Sequence, residues 1–458
     1  MNSFQSRFSF SELSAPASHL LALLLTISIT SCQREFADIK PPGIEIIEPD
    51  VSTVLTDAVV TLRIKPSVAG SVTGVSVGPV PMGFDPLSET WTVEITLNRG
   101  LNRLIFRSFG EVEPPQQDTV DLFHMPFEVT TASSRLRLGV GGHAATAVPG
   151  SGVVITGGSR GASGDAQDVV FLLPSVRDVE FIEVSKSMLN ARVGHTATLI
   201  DDRRIVILGG GSSIQINSVG ALVEEAELYI VDDRIFVPLP VVGDPIRRMY
   251  HTAVYRQTEM GPVVDLIGGT GDILYTPESL LGTRADVRSF LIRNDTLVSL
   301  SPAVGPFIER LWGHSQTDLG ENRIGQSSLY LISGFGGGPP NVPVNIFVDY
   351  RSPLGILVDP APQSIFPRNL HAAGRMGFGI VGLFGGRDLL NGGVLSEAEL
   401  YTHETSSSFK LPQTVGTSFR GRYGHTASLI APNVIMLAGG FDESGNVVDE
   451  VEFLTFAF

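Results

Sequence analysis

The sequence predicts an all-β chain of six repeats behind a smaller β-domain, on three observations. Six histidines, His143, His195, His251, His314, His371 and His425, recur at intervals of 52, 56, 63, 57 and 54 residues. In four repeats a Gly-Gly pair begins 14 residues after the histidine, at Gly157-Gly158, Gly209-Gly210, Gly385-Gly386 and Gly439-Gly440. In the third it begins 17 residues on, at Gly268-Gly269, and the fourth departs as Gly334-Phe335-Gly336-Gly337. Fifty Gly and 29 Pro in a chain with 43% hydrophobic residues indicate many short strands joined by tight turns. A fixed internal pattern at so long a period marks a repeat architecture.

The chain has 458 residues, enough for two or three domains. A formal charge of −16 argues against a nucleic-acid partner, which needs a basic surface for phosphate contacts. Cys32 is the only cysteine, so no intramolecular disulfide forms and the globular part is held by its core. The repeat region is long enough to bury one.

Taken in order, residues 1–31 read as a signal peptide. Leu20 to Ile29 is an apolar run too short to span a bilayer but of the length of a secretory h-region. It leads into Ile29-Thr30-Ser31-Cys32. These four residues resemble the lipobox of bacterial lipoproteins. The resemblance implies a mature chain that begins at a lipidated Cys32 and meets the membrane through that lipid only, since several acyl chains on one residue anchor firmly. Gln33, rather than Asp, follows the cysteine, which by the same resemblance implies the outer membrane of a Gram-negative cell envelope, on a side the sequence leaves open. Residues 32–42 are mostly polar, end in Pro41-Pro42 and read as a tether.

Residues 43–125 read as a small β-sandwich. Strands are expected at Val59 to Ile64, Thr73 to Val77, Trp91 to Leu97 and Leu101 to Phe106, with turn signals every 8 to 12 residues. The stretch from Trp91 through Gly100 to Leu104 resembles the end of the immunoglobulin-like modules of bacterial surface proteins. Trp91 is expected in the core and the domain is expected to act as a spacer.

Residues 126–458 carry the repeats. A strand starts at each histidine, as in His195 to Ile200 and His425 to Ile430. A polar turn and a wholly apolar strand follow, Ile205 to Leu208 or Val434 to Leu437; such runs fit strands buried on both faces. The double glycine ends that strand, permitting positive φ and close packing. A third strand recurs as Glu225 to Tyr229, Glu397 to Tyr401 and Asp449 to Phe453, and a fourth carries Phe181, Phe236, Leu297 or Phe409. Arg192, Arg310, Arg368 and Arg422 stand three or four residues before a histidine. This plan resembles the kelch repeat, four strands to a blade of a β-propeller, and six repeats imply six blades. After the sixth third strand only two residues remain, so Pro126 to Thr131 is expected to pair beside 449–456 and join the ends of the ring.

For function, the six histidines and the glycine pairs are expected to be structural, each histidine hydrogen-bonding within or between blades. Standing on different blades, they are not expected to form a metal site. The acidic loops Gly268 to Asp272 and Asp442 to Asn446 match no EF-hand and read as solvated turns. No cofactor and no catalytic set are expected. The copper oxidases that share the kelch fold need a Tyr cross-linked to a Cys, and Cys32 lies outside the propeller. Arg247, Arg248, Tyr250, Arg310, Trp312, Arg420 and Tyr423 stand in the loops before the histidines, which in kelch propellers open on the central channel. Arg beside an aromatic is the composition of binding hot spots, so these residues are expected to bind an acidic protein segment or a glycan at one propeller face. The alternative for the motif arginines is pairing with repeat carboxylates such as Glu227 or Glu399. The competing class for the whole protein is a metal-free carbohydrate-active enzyme like the sialic-acid mutarotases, which are periplasmic six-bladed kelch proteins.

Overall fold

The computed structural model describes residues 44–457 except 67–71, 111–115, 137–138, 162–168, 175–178, 184–186, 213, 216–217, 220–221, 272–285, 301–310, 320–328, 337–342, 350–356, 389, 404 and 415. The signal, the lipobox with Cys32 and the tether lie outside the described residues. So does Arg310. Among the described residues the secondary structure is strands and one 3-10 turn, Gly377–Gly379, and no helix is long and apolar enough to cross a membrane.

The chain divides into two compact units. Of the described residues, those of 44–49, Thr61–Glu94 and Arg103–Val120 form the first; those of Asp50–Val60, Ile95–Asn102 and 121–457 form the second. The stretch from 43 to 125, expected as one domain, thus also contributes segments to the second unit.

The strands of that stretch make two four-stranded sheets. One runs Ile44–Glu48, Val59–Pro66, Thr90–Thr96, Gly83–Asp85 and the other Val80–Pro81, Val72–Val77, Gly100–Gly110, Gln116–His124. Alternating apolar positions, Leu62 and Ile64 or Val75 and Val77, turn inward with Phe106. Trp91 is buried, its ring 4.9 Å from that of Phe84.

Among the described residues the second unit contains six larger sheets, five of four antiparallel strands and one of five strands, and a two-stranded ribbon, Ile214–Gln215 with Ser218–Val219. The first holds Ala144–Val148, Gly152–Thr156, Val169–Pro174 and Val179–Glu183. The second holds Thr196–Asp201, Arg204–Leu208, Ala226–Ile230 and Ile235–Leu239. The third holds Thr252–Thr258, Gly261–Ile267, Val287–Ile292 and Leu297–Leu300, with Val241–Val242 added in parallel at its edge. The fourth holds Leu311–Asp318, Leu329–Gly336, Pro343–Asp349 and Leu357–Pro360. The fifth holds Ala372–Arg375, Ile380–Phe384, Ala398–Thr402 and Ser407–Lys410. The sixth is Thr426–Ala431, Val434–Ala438 and Val451–Phe456, completed by Phe127–Thr131 from the other end of the repeat region. The expected pairing of 126–131 with the last strand is present, in register from Phe127 opposite Phe456 to Thr131 opposite Glu452.

The wholly apolar second strands explain the packing. Ile205 and Ile207 turn to the first sheet, against Val148 and Val154, while Val206 and Leu208 turn to the third, against Val264 and Leu266. Similar clusters fill the spaces between third and fourth, fourth and fifth, and fifth and sixth sheets. Another, with Val153 and Ile155 against Val434 and Met436, lies between sixth and first. Side chains of a strand alternate between its faces, so an apolar run is what a sheet packed on both sides requires.

Candidate functional site

The residue before each repeat histidine has positive φ: Gly142, Gly194, Tyr250, Gly313, Leu370 and Gly424, between +51° and +66°. This left-handed turn aims each residue's N–H at the carbonyl of its counterpart in the preceding sheet. Gly194 donates to Gly142 at 2.8 Å, Tyr250 to Gly194 at 2.7, Gly313 to Tyr250 at 3.0, Leu370 to Gly313 at 2.7, Gly424 to Leu370 at 2.7, and Gly142 to Gly424 at 2.7. Six backbone hydrogen bonds therefore close into a ring that passes once through every sheet. Tyr250 and Leu370 hold a conformation costing a side-chain residue about 1–2 kcal/mol.

The six imidazoles follow directly on this ring and, with it, line one open cavity of about 120 Å³. The sequence set them on separate sheets; the structure adds that they share a pocket, because each follows a ring residue. Among the described residues no three His, Cys, Asp or Glu side chains are grouped to hold a metal ion. In four histidines Nε2 bonds the hydroxyl that follows the histidine of the preceding sheet. His143 meets Thr426 at 2.9 Å, His251 Thr196 at 3.1, His314 Thr252 at 2.9 and His371 Ser315 at 2.7. The equivalent residue for His195 is Ala144, and Thr156 serves instead at 2.8 Å. For His425 it is Ala372, and both ring nitrogens are buried without a partner. Burial keeps the rings neutral. The pKa of His143 falls to about 4 and those of His195 and His314 to about 3. His251, His371 and His425 lie well below the ordinary value, the guanidiniums of Arg248, Arg368 and Arg422 adding to the effect of burial.

The glycine pairs make this convergence possible. A Cβ on Gly157 would lie 2.5 Å from the Arg192 carbonyl oxygen and 2.6 Å from the His195 ring in the next sheet. One on Gly158 would lie 2.9 Å from Cβ of His143 in its own. The Gly158 N–H donates to the Arg192 carbonyl at 2.7 Å, and Gly210, Gly269, Gly386 and Gly440 donate likewise to Arg248, Leu311, Arg422 and Val140.

The residues predicted to bind separate into two groups. Arg248 and Trp312 are only 1% and 6% exposed. The Arg248 guanidinium donates to the Gly268 carbonyl at 3.0 Å and pairs with Asp286 at 3.0 Å. Trp312 packs edge-on to Tyr250, centroids 6.2 Å apart. Arg192, Arg368 and Arg422 are buried in the same manner, bonded to the carbonyls of Gly209, Gly385 and Gly439 and facing Glu227, Glu399 and Glu452. Arg247 is exposed and pairs with Glu224. Arg420 is exposed and pairs with Asp442 at 3.3 Å and Glu450 at 3.2 Å. Tyr423 is half-buried, its ring tilted against that of Phe441 with centroids 5.3 Å apart, and exposed Arg387 lies over it at 5.1 Å. Arg387, Tyr423 and Phe441 thus form one cluster across the fifth and sixth sheets, and Arg420 joins it through Asp442, the residue after Phe441. Arg387 and Phe441 directly follow glycine pairs, and that position was the signal that marks them in the sequence.

No protein-family model matches this chain, and no curated protein does. A solved β-propeller titled "Structure of YjhT" is similar, with 12% identity, a TM-score of 0.51, and coverage of 71% of this chain and 99% of that one. At that identity the likeness shows the fold alone.

Proposed function

We propose that this protein is a lipid-anchored lipoprotein of the cell envelope whose second unit is a six-bladed kelch-type β-propeller that binds a protein or glycan partner. An Ig-like spacer precedes the propeller in this reading. The six-membered backbone ring supports six blades, and the lipobox-like residues ending at Cys32 support the anchor. The observation that carries binding is the patch of Arg387, Tyr423, Phe441 and Arg420. Guanidiniums beside partly exposed aromatic rings suit carboxylates and sugar rings, and exposed Arg247, paired with Glu224, stands in another of the loops before the histidines. A second reading, a metal-free carbohydrate-active enzyme of the sialic-acid-mutarotase type, draws on the cavity's neutral imidazoles, although its lining includes no carboxylate.

The test uses the full-length lipoprotein in detergent, with chemical cross-linking in the envelope of its own cell and a glycan array in parallel. One partner or glycan should be held by the wild type and lost in Arg387→Glu/Arg420→Glu at unchanged thermal stability. Equal capture by that variant removes the patch. Capture of nothing shifts the weight to the enzymatic reading.

A further inference from the structure

A second cavity, of about 390 Å³, lies within the second unit, away from the histidine ring. Its size falls in the range of about 300–1,000 Å³ usual for small-molecule sites. Leu101, Phe123, Met125 and Ile380 give it an apolar wall, and exposed Arg99 stands among its lining residues. Thr402 and Thr405, bonded to each other, add polar groups, and a further one is His124. It is 3% exposed, it lines the cavity, and its Nε2 is buried with no hydrogen-bond partner.

The other ring nitrogen fixes what Nε2 can do. Nδ1 lies 3.3 Å from the carbonyl oxygen of Asn98. A carbonyl only accepts, so Nδ1 carries the proton and donates. In the neutral ring Nε2 is then a lone-pair acceptor in the wall of a roomy site whose other polar side chains are Thr402, Thr405 and Arg99. Buried polar groups are rarely left unpaired, and doing so costs about 1–3 kcal/mol. The geometry points to a binding site for a small amphipathic molecule: an apolar body of one or two fused rings, or an alkyl chain of similar bulk, bearing a hydroxyl or amine that donates to His124 Nε2. Nothing in this assignment depends on what the patch beside Tyr423 binds.

Two probes of matched shape test it on the full chain by titration calorimetry. 2-Naphthol carries the donor, and 2-methoxynaphthalene replaces it with a methyl ether. The wild type should bind 2-naphthol at least ten-fold more tightly. His124→Asn retains an amide N–H for the Asn98 carbonyl but removes the acceptor. It should weaken 2-naphthol about ten-fold and leave 2-methoxynaphthalene unchanged. Equal affinity of the two probes for the wild type, binding of neither, or undiminished 2-naphthol binding by folded His124→Asn would overturn the site. Should that variant fail to fold, the wild-type comparison decides alone.

Discussion

Ala372 is the position where the chain of imidazole–hydroxyl bonds breaks. Thr196, Thr252, Ser315 and Thr426 fill the equivalent place in other sheets, and each satisfies a histidine of its neighbour. Ala372 offers only a methyl group, so His425 keeps two unpaired nitrogens in a buried setting. Ala372→Ser, chosen because Ser315 already makes this contact at 2.7 Å, should add one hydrogen bond and stabilise the protein by about 0.5–1.5 kcal/mol. Denaturant unfolding of the pair measures it; an unchanged or lower midpoint would show that His425 Nε2 is already satisfied. The sequence carried this signal, since three repeats read His-Thr and one His-Ser. The glycine before the histidine was equally visible in four repeats, but Tyr250 and Leu370 hide the rule that the position demands a left-handed backbone. Why it does so depends on carbonyls some 50 or more residues away, which no local pattern displays.

At the scale of the strand, the apolar runs and glycine pairs were legible because they are local consequences of packing on two faces. The arginines were less so. An Arg three residues before a histidine looks like an exposed anchor when read beside Tyr250 or Trp312. In the fold its guanidinium reaches the carbonyl that ends the second strand and a carboxylate on the third, and this is why Arg248 is sealed in. The second sheet shows the energetics. Arg192 and Glu227 are both fully buried, and Glu227 also accepts from the backbone N–H groups of Leu189 and Asn190. In the first sheet Val140 stands in place of the arginine, and Val170, opposite Ile155 as Glu227 is opposite Ile207, stands at the register of the carboxylate. The sequence thus carries an Arg and a Glu at these two places in the second sheet and a valine at each in the first. Removing one member of the ion pair strands the other, so Arg192→Met should cost about 3–5 kcal/mol. Adding Glu227→Leu should regain about 1 kcal/mol or more, though not all, since the two N–H groups lose their acceptor. A double variant less stable than the single would mean that Glu227 contributes mainly through those N–H bonds rather than as the partner of Arg192.

Across the second unit, distant parts of the sequence are tied at two levels. Phe127–Thr131 pairs with Val451–Phe456, and the N–H of Gly142 meets the carbonyl of Gly424. Such closure completes the sixth sheet with a strand from the other end of the repeat region and draws all six histidines around one open cavity. That gathering has a titration consequence. An unfolded imidazole titrates near 6.5, whereas His143 in the fold titrates near 4, His195 and His314 near 3, and the other three well below 6.5. Lowered folded values favour the neutral ring, so above pH 6.5 the histidines leave stability unchanged with pH. As pH falls below 6.5 the unfolded chain takes up protons that the folded one refuses. Each histidine then removes up to about 1.4 kcal/mol per pH unit until its folded pKa is reached. Glu399 and Glu452, raised by burial, act the other way over part of this range, but they are two against six. Carboxylates held low, such as Asp201 and Asp388, lose their contribution only below the ordinary carboxylate range. Stability should therefore fall steeply from pH 6.5 to 4.5. Of the two tryptophans, Trp312 belongs to the second unit, so its fluorescence in a Trp91→Phe background isolates that unit's unfolding. The urea midpoint should drop continuously across this window. A level or rising midpoint would mean that the imidazoles reach solvent or a counter-charge in the folded state, and that the ring does not hold them neutral.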